Sequence, residues 1–208
     1  MNTLMYDAVF DSQKHYRVLL NSTARPGTIG LLEDVCPNTP PSLSHAAALV
    51  TLALFSSDVS FHVQLGERAA EFIQRQTQAR AVSAAKAEFL LLNGDTSAAI
   101  EAIKAAKMGS LEFPDTGATV ILQVSLVSPA PFRNCLKLTL TGPGIETEAI
   151  VYVAGMNSTL LELLGSRNRE FPLGIDAILV CDNLSTGPCV LSLPRTTKVH
   201  WEPVSWDM

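Results

Sequence analysis

Gly174-Ile175-Asp176-Ala177-Ile178-Leu179-Val180-Cys181 is apolar on both of its alternating faces, with Asp176 the one exception. Successive side chains of a strand point to opposite faces, so this segment reads as a strand covered on both sides. Outward from it, Cys189 to Leu193 and Lys198 to Trp201 read as the last two strands. Thr119 to Val127, Leu136 to Thr141 and Ala149 to Val153 read as earlier ones. Phe89 to Leu92 is short enough for a buried strand and is ended by Asn93-Gly94. Ser60 to Leu65 alternates Phe61, Val63 and Leu65 against Ser60, His62 and Gln64, the period of a half-buried strand. Thr28 to Leu32 reads as a further short one.

Helices fill the remaining chain. Tyr16, Leu19, Leu20 and Thr23 recur at i, i+3, i+4 and i+7 and put one largely apolar stripe on a first helix, stopped by Arg25-Pro26-Gly27. After a loop over Pro37 to Pro41, Ser42 or Ser44 caps an Ala/Leu-rich helix ending near Phe55. Gly66 opens a helix carrying Ala69, Ala70, Phe72 and Ile73. Asp95 caps one that runs through Lys107, with Gly109 at its end. Thr159 and Glu162 form a capping box for a short helix around Leu160 to Leu164. No linker, composition break or repeat divides the sequence. The reading is one α/β domain over residues 1–208, a mixed β-sheet covered by helices.

Composition narrows the function classes. Of 208 residues, 47% are hydrophobic and 17% charged, against roughly 25% charged in a typical domain. The longest apolar run, Ala46 to Phe55, is half of the ~20 residues a spanning helix needs, so no membrane span is expected. Asp7 and Asp11 stand where a signal peptide would be basic and apolar, which points to a cytoplasmic protein. The 15 basic residues are dispersed among 20 acidic ones, a pattern that argues against nucleic acid. Low charge points instead to apolar surface covered by partners.

Few motifs carry chemistry. No phosphate loop, nucleophile elbow or zinc motif occurs, and His15, His45, His62 and His200 fall in different elements, so no metal site is expected. The cysteines Cys36, Cys135, Cys181 and Cys189 lack C-x-x-C spacing and read as reduced thiols, although Cys181 and Cys189 flank one hairpin and a disulfide there is geometrically conceivable. Thr141-Gly142-Pro143-Gly144 reads as a tight turn, since Pro143 removes a donor that an anion cradle would need. Lys198 is a solvated lysine in preference to a Schiff-base lysine, which needs a desolvated pocket.

Asp176 stands out, because an unpaired carboxylate inside an apolar strand is expensive to bury. It reads either as a ligand or acid/base residue at a strand end, or as the partner of a buried arginine or of backbone N–H groups. Arg195, between Pro194 and Thr196-Thr197, combines a bidentate anion donor with two hydroxyls. An oxyanion site there is one reading; pairing of Arg195 with Asp176 explains both residues together.

These segments also carry a family likeness. Phe171-Pro172-Leu173-Gly174-Ile175-Asp176 followed by Pro194-Arg195-Thr196-Thr197 resembles the PhnH family, the H subunit of the bacterial carbon–phosphorus lyase system. Tyr16-Arg17 with Pro26-Gly27, Thr116-Gly117-Ala118-Thr119 and Leu140-Thr141-Gly142-Pro143-Gly144-Ile145 extend it in the expected order. Tyr16 stands where phenylalanine is usual, and Ala79 to Lys107 matches least. The positions carried over are Arg17, Gly117, Gly142, Gly144, Pro172, Gly174, Asp176, Pro194, Arg195 and Thr196.

The resemblance implies a vestigial version of the pyridoxal-phosphate-dependent transferase fold, without the cofactor. It implies a homodimer that joins the G, I and J subunits in a core complex. With the G, I and L subunits, such a chain is required to make alpha-D-ribose 1-methylphosphonate 5-triphosphate from ATP and a phosphonate, the substrates of the complex. The resemblance assigns no catalytic residue, and the separated cysteines offer no cluster motif, so an assembly role is expected. The competing reading is an independent phosphate-ester or nucleotide-binding enzyme using Arg195 and Asp176, with Arg17 beside them.

Overall fold

The computed structural model describes residues 6–35 and 38–204. Cys36 and the first residue of the Pro37 to Pro41 loop lie outside them.

The opening strand runs as β9 (Asp176–Asn183) through the middle of a seven-stranded mixed sheet. The other strands are β1 (Gly30–Leu31), β2 (Ser60–Val63), β3 (Arg80–Ala81), β4 (Phe89–Asn93), β5 (Thr119–Gln123) and β10 (Gly187–Leu193). Their order is β1-β10-β9-β5-β4-β2-β3, parallel from β3 across to β9, with β10 and β1 added antiparallel. The central strands divide their side chains between two cores. Leu90 and Leu92 of β4, Val120 and Leu122 of β5, and Ala177 and Leu179 of β9 enter one; Leu91, Ile121, Ile178 and Val180 enter the other. Covering both faces accounts for the unbroken apolar runs, as parallel sheets require.

Helices α1 (Phe10–Ala24), α2 (His45–Leu54) and α3 (Glu67–Thr77) build the layer on one face. The other face is covered by α4 (Ser97–Ala105), α5 (Ser158–Arg167) and a second, four-stranded antiparallel sheet. That sheet has the order β11-β7-β8-β6, from β6 (Leu126–Ser128), β7 (Leu136–Thr141), β8 (Ala149–Ala154) and β11 (Lys198–Pro203). The single mixed sheet expected from sequence is therefore two. The expected strand Thr119 to Val127 is cut where the chain changes sheet. Val124 N–H donates to the Val180 carbonyl of the first sheet (3.0 Å), and the next residue, Ser125, donates to Ala154 of the second (2.9 Å). An apolar run shows how much is buried, not which sheet buries it.

The first helix packs differently from its apolar stripe. Its buried residues are His15, Leu19 and Ser22, whereas Tyr16 and Leu20 are about half exposed and Thr23 is exposed. The polar pair goes inward because backbone groups meet it there. Ser22 Oγ donates to the Thr28 carbonyl (3.0 Å) and accepts from Ser192 N–H (2.9 Å), and His15 Nε2 donates to the Glu33 carbonyl (3.0 Å). A satisfied buried hydroxyl removes the penalty that keeps such groups outside.

Of three caps read from the sequence, one stands and two move. Ser44, not Ser42, caps α2, its Oγ accepting from Ala47 N–H (3.2 Å). Asp95 does not cap α4; Thr96 stands at that position without a side-chain cap bond, and the helix ends at Ala105, short of Lys107. The Thr159–Glu162 box is replaced by Asn157, whose Oδ1 accepts from Thr159 N–H (2.9 Å), so α5 starts at Ser158 and runs to Arg167. Strands shift by less: β1 is only two residues long, β2 stops at Val63, and β3 has no counterpart in the sequence reading.

Candidate functional site

Asp176 opens β9, and Arg195 lies in the turn Pro194–Thr197 between β10 and β11, closed by Thr197 N–H donating to the Pro194 carbonyl (2.8 Å). The two residues form the expected pair. Arg195 Nη2 and Nε donate to Asp176 Oδ2 at 2.6 and 3.1 Å, and the Arg195 backbone N–H donates to Oδ1 at 2.8 Å. The Arg195 side chain is only 13% exposed. Its Nη1 donates to the Pro114 carbonyl (2.8 Å) and, at a longer 3.4 Å, to that of Pro172. Of the five N–H donors of a guanidinium, all but one on Nη2 thus face protein oxygens.

The motif positions gather around this guanidinium. A Cβ on Gly117 would sit 2.8 Å from Arg195 Nη1 and 2.6 Å from the Gly174 carbonyl, so only glycine fits beneath the fork. A Cβ on Gly142 would meet the Thr196 carbonyl at 2.8 Å, which presses the β7–β8 turn against the arginine turn. Asn168, which sequence reasoning did not single out, holds Ile175 by both backbone groups: its Oδ1 accepts from Ile175 N–H (2.7 Å) and its Nδ2 donates to the carbonyl (3.0 Å). Segments separated in sequence therefore meet at one node. Gly144 packs instead against Ala24 at the end of α1. Arg17 is not part of the node; it sits on the exposed side of α1, which packs on α2, β1 and β10.

Two cavities flank the sheets. One of about 540 Å³ lies beside the node, between α5 and β11, lined by Leu161, Leu164 and Val199 with Arg169, Thr196 and Lys198. A second, of about 570 Å³, opens at the carboxyl ends of β4, β5 and β9, where ligands of open α/β sheets bind. Here the N-terminal donors of α2 are already taken. Asp182 accepts from His45 N–H (2.9 Å) and Ala46 N–H (2.8 Å), and Gln123 Oε1 accepts from Ser44 N–H (2.7 Å). A helix N-terminus is a ready anion site; in this chain a carboxylate of its own fills it. The sequence reading missed Asp182 and Gln123. The signal was present, since each is a polar residue closing an apolar strand.

The remaining chemistry-bearing residues are separate. His15 is buried, and burial lowers its pKa, so the ring is neutral with its proton on Nε2 facing Glu33. His45 pairs with Asp34 (3.2 Å), and His62 Nδ1 meets the Val82 carbonyl (3.1 Å). Among the described residues no cluster of His, Cys, Asp and Glu could hold a metal ion, and no helix is long and apolar enough to cross a membrane. Cys181 and Cys189 stand directly opposite one another on β9 and β10 as buried thiols, Sγ to Sγ 3.0 Å. The hydrogen bond between the two sulfurs raises the Cys189 pKa and lowers that of Cys181.

The sequence matches known proteins over most of its length. The family model for the bacterial phosphonate metabolism protein (PhnH) matches residues 4–200. The chain is 32% identical over 188 residues to a putative C-P lyase subunit protein HtxG of Stutzerimonas stutzeri, covering 90% of this chain and 85% of that protein. It is 29% identical over 198 residues to the alpha-D-ribose 1-methylphosphonate 5-triphosphate synthase subunit PhnH of Rhizobium meliloti (strain 1021), covering 94% of each. A match that runs through the node and both sheets makes the assignment: the chain belongs to the PhnH family of bacterial phosphonate metabolism proteins.

Proposed function

We propose that this chain is a subunit of a carbon–phosphorus lyase system, needed with the G, I and L subunits to form alpha-D-ribose 1-methylphosphonate 5-triphosphate from ATP and a phosphonate. Its role in that reading is assembly, not turnover. The observation that carries the assembly role is the direction of Arg195, the strongest anion donor of the motif set, which is committed to Asp176 and two backbone carbonyls. The subunit names of the two relatives support the system. Val9, Phe10, Tyr16 and Leu20 lie 50–70% exposed along α1 and its approach, an apolar surface of the kind partners cover. The same reading includes a homodimer and contacts with the G, I and J subunits.

The reading also holds the fold to be a cofactor-free relative of pyridoxal-phosphate-dependent transferases. Two features support the cofactor-free part of that reading. Asp182 and Gln123 occupy the α2 donors that would otherwise take a cofactor phosphate, and Lys198 is exposed at the start of β11. The residues present do not fit that group.

Reconstitution tests the proposal. Adenine release from ATP and methylphosphonate is measured with purified subunits, with this chain present, omitted or replaced. Omission should abolish release, and a Tyr16→Glu/Leu20→Glu variant that melts like wild type should fail to co-purify with the other subunits. A variant Arg195→Ala that keeps its stability and joins the complex, yet stops turnover, would instead favour the phosphate-ester or nucleotide-binding enzyme.

A further inference from the structure

β11 closes one side of the four-stranded sheet, and among the described residues no strand pairs with its outer edge. The phase of its hydrogen bonds can be read from its end. Val204 N–H donates to the carbonyl of Cys135 (3.0 Å), the residue directly opposite it in the register that pairs Lys198 with Thr141 and Trp201 with Leu138. Hydrogen-bonded and non-hydrogen-bonded pairs alternate along an antiparallel ladder. Lys198, His200 and Glu202 therefore bond to β7, while the N–H and C=O groups of Val199 and Trp201 point out along the free edge. The usable edge is short. The Pro194–Thr197 turn closes it at one end, and Pro203, which has no N–H, closes it at the other. Its midpoint is His200.

The charges on this window are self-complementary. Rotated about a two-fold axis through His200, an antiparallel copy sets Lys198 opposite Glu202 and Val199 opposite Trp201. That register gives the outward N–H and C=O groups of Val199 and Trp201 partners on the other copy. The side chains of Lys198, His200 and Glu202 are exposed and project from the solvent face, while Val199 and Trp201 pack on the core. Glu202 Oε1 already accepts from Lys137 (2.7 Å), leaving Oε2 for the lysine of the second copy. Slipping the register by a residue loses both ion pairs. Edge strands are normally blunted against such pairing, often by lysine and proline. Here the same two devices select one register.

We infer that β11 is the seam of a homodimer, joining two copies edge to edge into one continuous antiparallel sheet about a two-fold axis at His200. The inference rests on the homodimer in the functional reading above and gives it an interface. Sedimentation velocity over a concentration series tests it with Lys198→Glu, Glu202→Lys and their equimolar mixture. Each variant alone sets like charges opposite one another across the seam, and the dimer dissociation constant should rise by about tenfold. The mixture should recover wild-type association, because each chain then meets its complement. Lys198→Glu touches no ion pair among the described residues of its own chain, so it reports on the seam even if Glu202→Lys disturbs Lys137. A His200→Cys variant, whose thiols would face each other in a non-hydrogen-bonded pair, should cross-link to a covalent dimer under mild oxidation. A dimeric wild type with unaffected charge variants and no cross-link overturns the seam and leaves the homodimer standing. A wild type that stays monomeric throughout overturns both.

Discussion

Replacing Arg195 by alanine should be among the costliest single changes at the node. Breaking a buried ion pair typically costs about 3–5 kcal/mol, mostly from the charge left behind. Asp176 keeps 34% of its side chain exposed and its bond from the Arg195 backbone N–H, so about 2 kcal/mol is the fair share here. The carbonyls of Pro114 and Pro172 lose their donor, adding about 1 kcal/mol. The total is about 3 kcal/mol. For a chain of this length the melting temperature should fall by roughly 6–12 °C. Lysine should not rescue it, since a point charge cannot reach Asp176 and Pro114 together.

Urea titration followed by circular dichroism measures the change, and an unaltered slope would show that the unfolding transition keeps its character. Asp176→Leu should lose a comparable amount, and Arg195→Met/Asp176→Leu should recover part of the sum, giving a coupling energy above about 1 kcal/mol. An Arg195→Ala protein that melts within about 1 °C of wild type would refute the reasoning. The guanidinium would then contribute nothing to folding, and its direction in the structure would need another cause.

Three further outcomes follow from the same geometry. Gly117→Ala, whose added Cβ collides with Arg195 and the Gly174 carbonyl, should destabilise by about 1–3 kcal/mol, read from the urea midpoint. Asp182→Ala should cost about 1–2 kcal/mol and free the α2 donors, so millimolar phosphate should raise the melting temperature of the variant and leave wild type unmoved. His15 has its pKa lowered by burial, so the unfolded chain takes up its proton first as pH falls. Stability should therefore decline below about pH 6.5, and a His15→Gln variant should lose that part of the pH dependence.

The elements were legible where one physical signal dominates. The β9 segment and the runs in β4, β7 and β8 declare themselves by apolar content, and the Asp176–Arg195 pair follows from the cost of an unpaired carboxylate in such a strand. What stayed hidden was partnership at a distance. Nothing local tells Thr119 to Val127 that Val124 bonds one sheet and Ser125 the other. Nothing in the α1 pattern shows that Ser22 and His15 meet backbone carbonyls from the following loop, which lets them displace Tyr16 and Leu20 from the interior. Caps failed for a related reason: Asp95 has the right chemistry, but the chain turns one residue later. The glycines of the node look like turn residues in sequence, and Gly117 is required by a guanidinium supplied from far along the chain.

That distinction bears on the low charge content. A charge fraction of 17% reads as a deficit only if the core is of ordinary extent. In this fold the central strands are buried on both faces, so Leu90, Leu91 and Leu92 are all fully inaccessible, as are Val120, Ile121 and Leu122. Each position that would be polar and solvated in a one-sided sheet is apolar here, and the helices of both layers add their own buried faces. Much of the deficit is thus spent inside one copy of the chain and does not measure interface area. Among the described residues, the large apolar side chains that remain exposed include loop positions such as Leu111, Phe171 and Leu184, the strand residues Leu31 and Ile150, and Phe10, Tyr16 and Leu20 on α1. Single exposed side chains need no partner; Tyr16 and Leu20, one turn apart on one face of α1, make a continuous apolar patch of the kind partners cover. On the proposed reading, contacts with other subunits are therefore expected along α1, while pairing of two copies would depend on hydrogen bonds and charges at β11. Salt would separate the two: raising ionic strength should weaken the proposed homodimer, whose Lys198–Glu202 pairs would be screened, and leave association through α1 intact. Equal salt sensitivity of both would remove the division of labour between these surfaces.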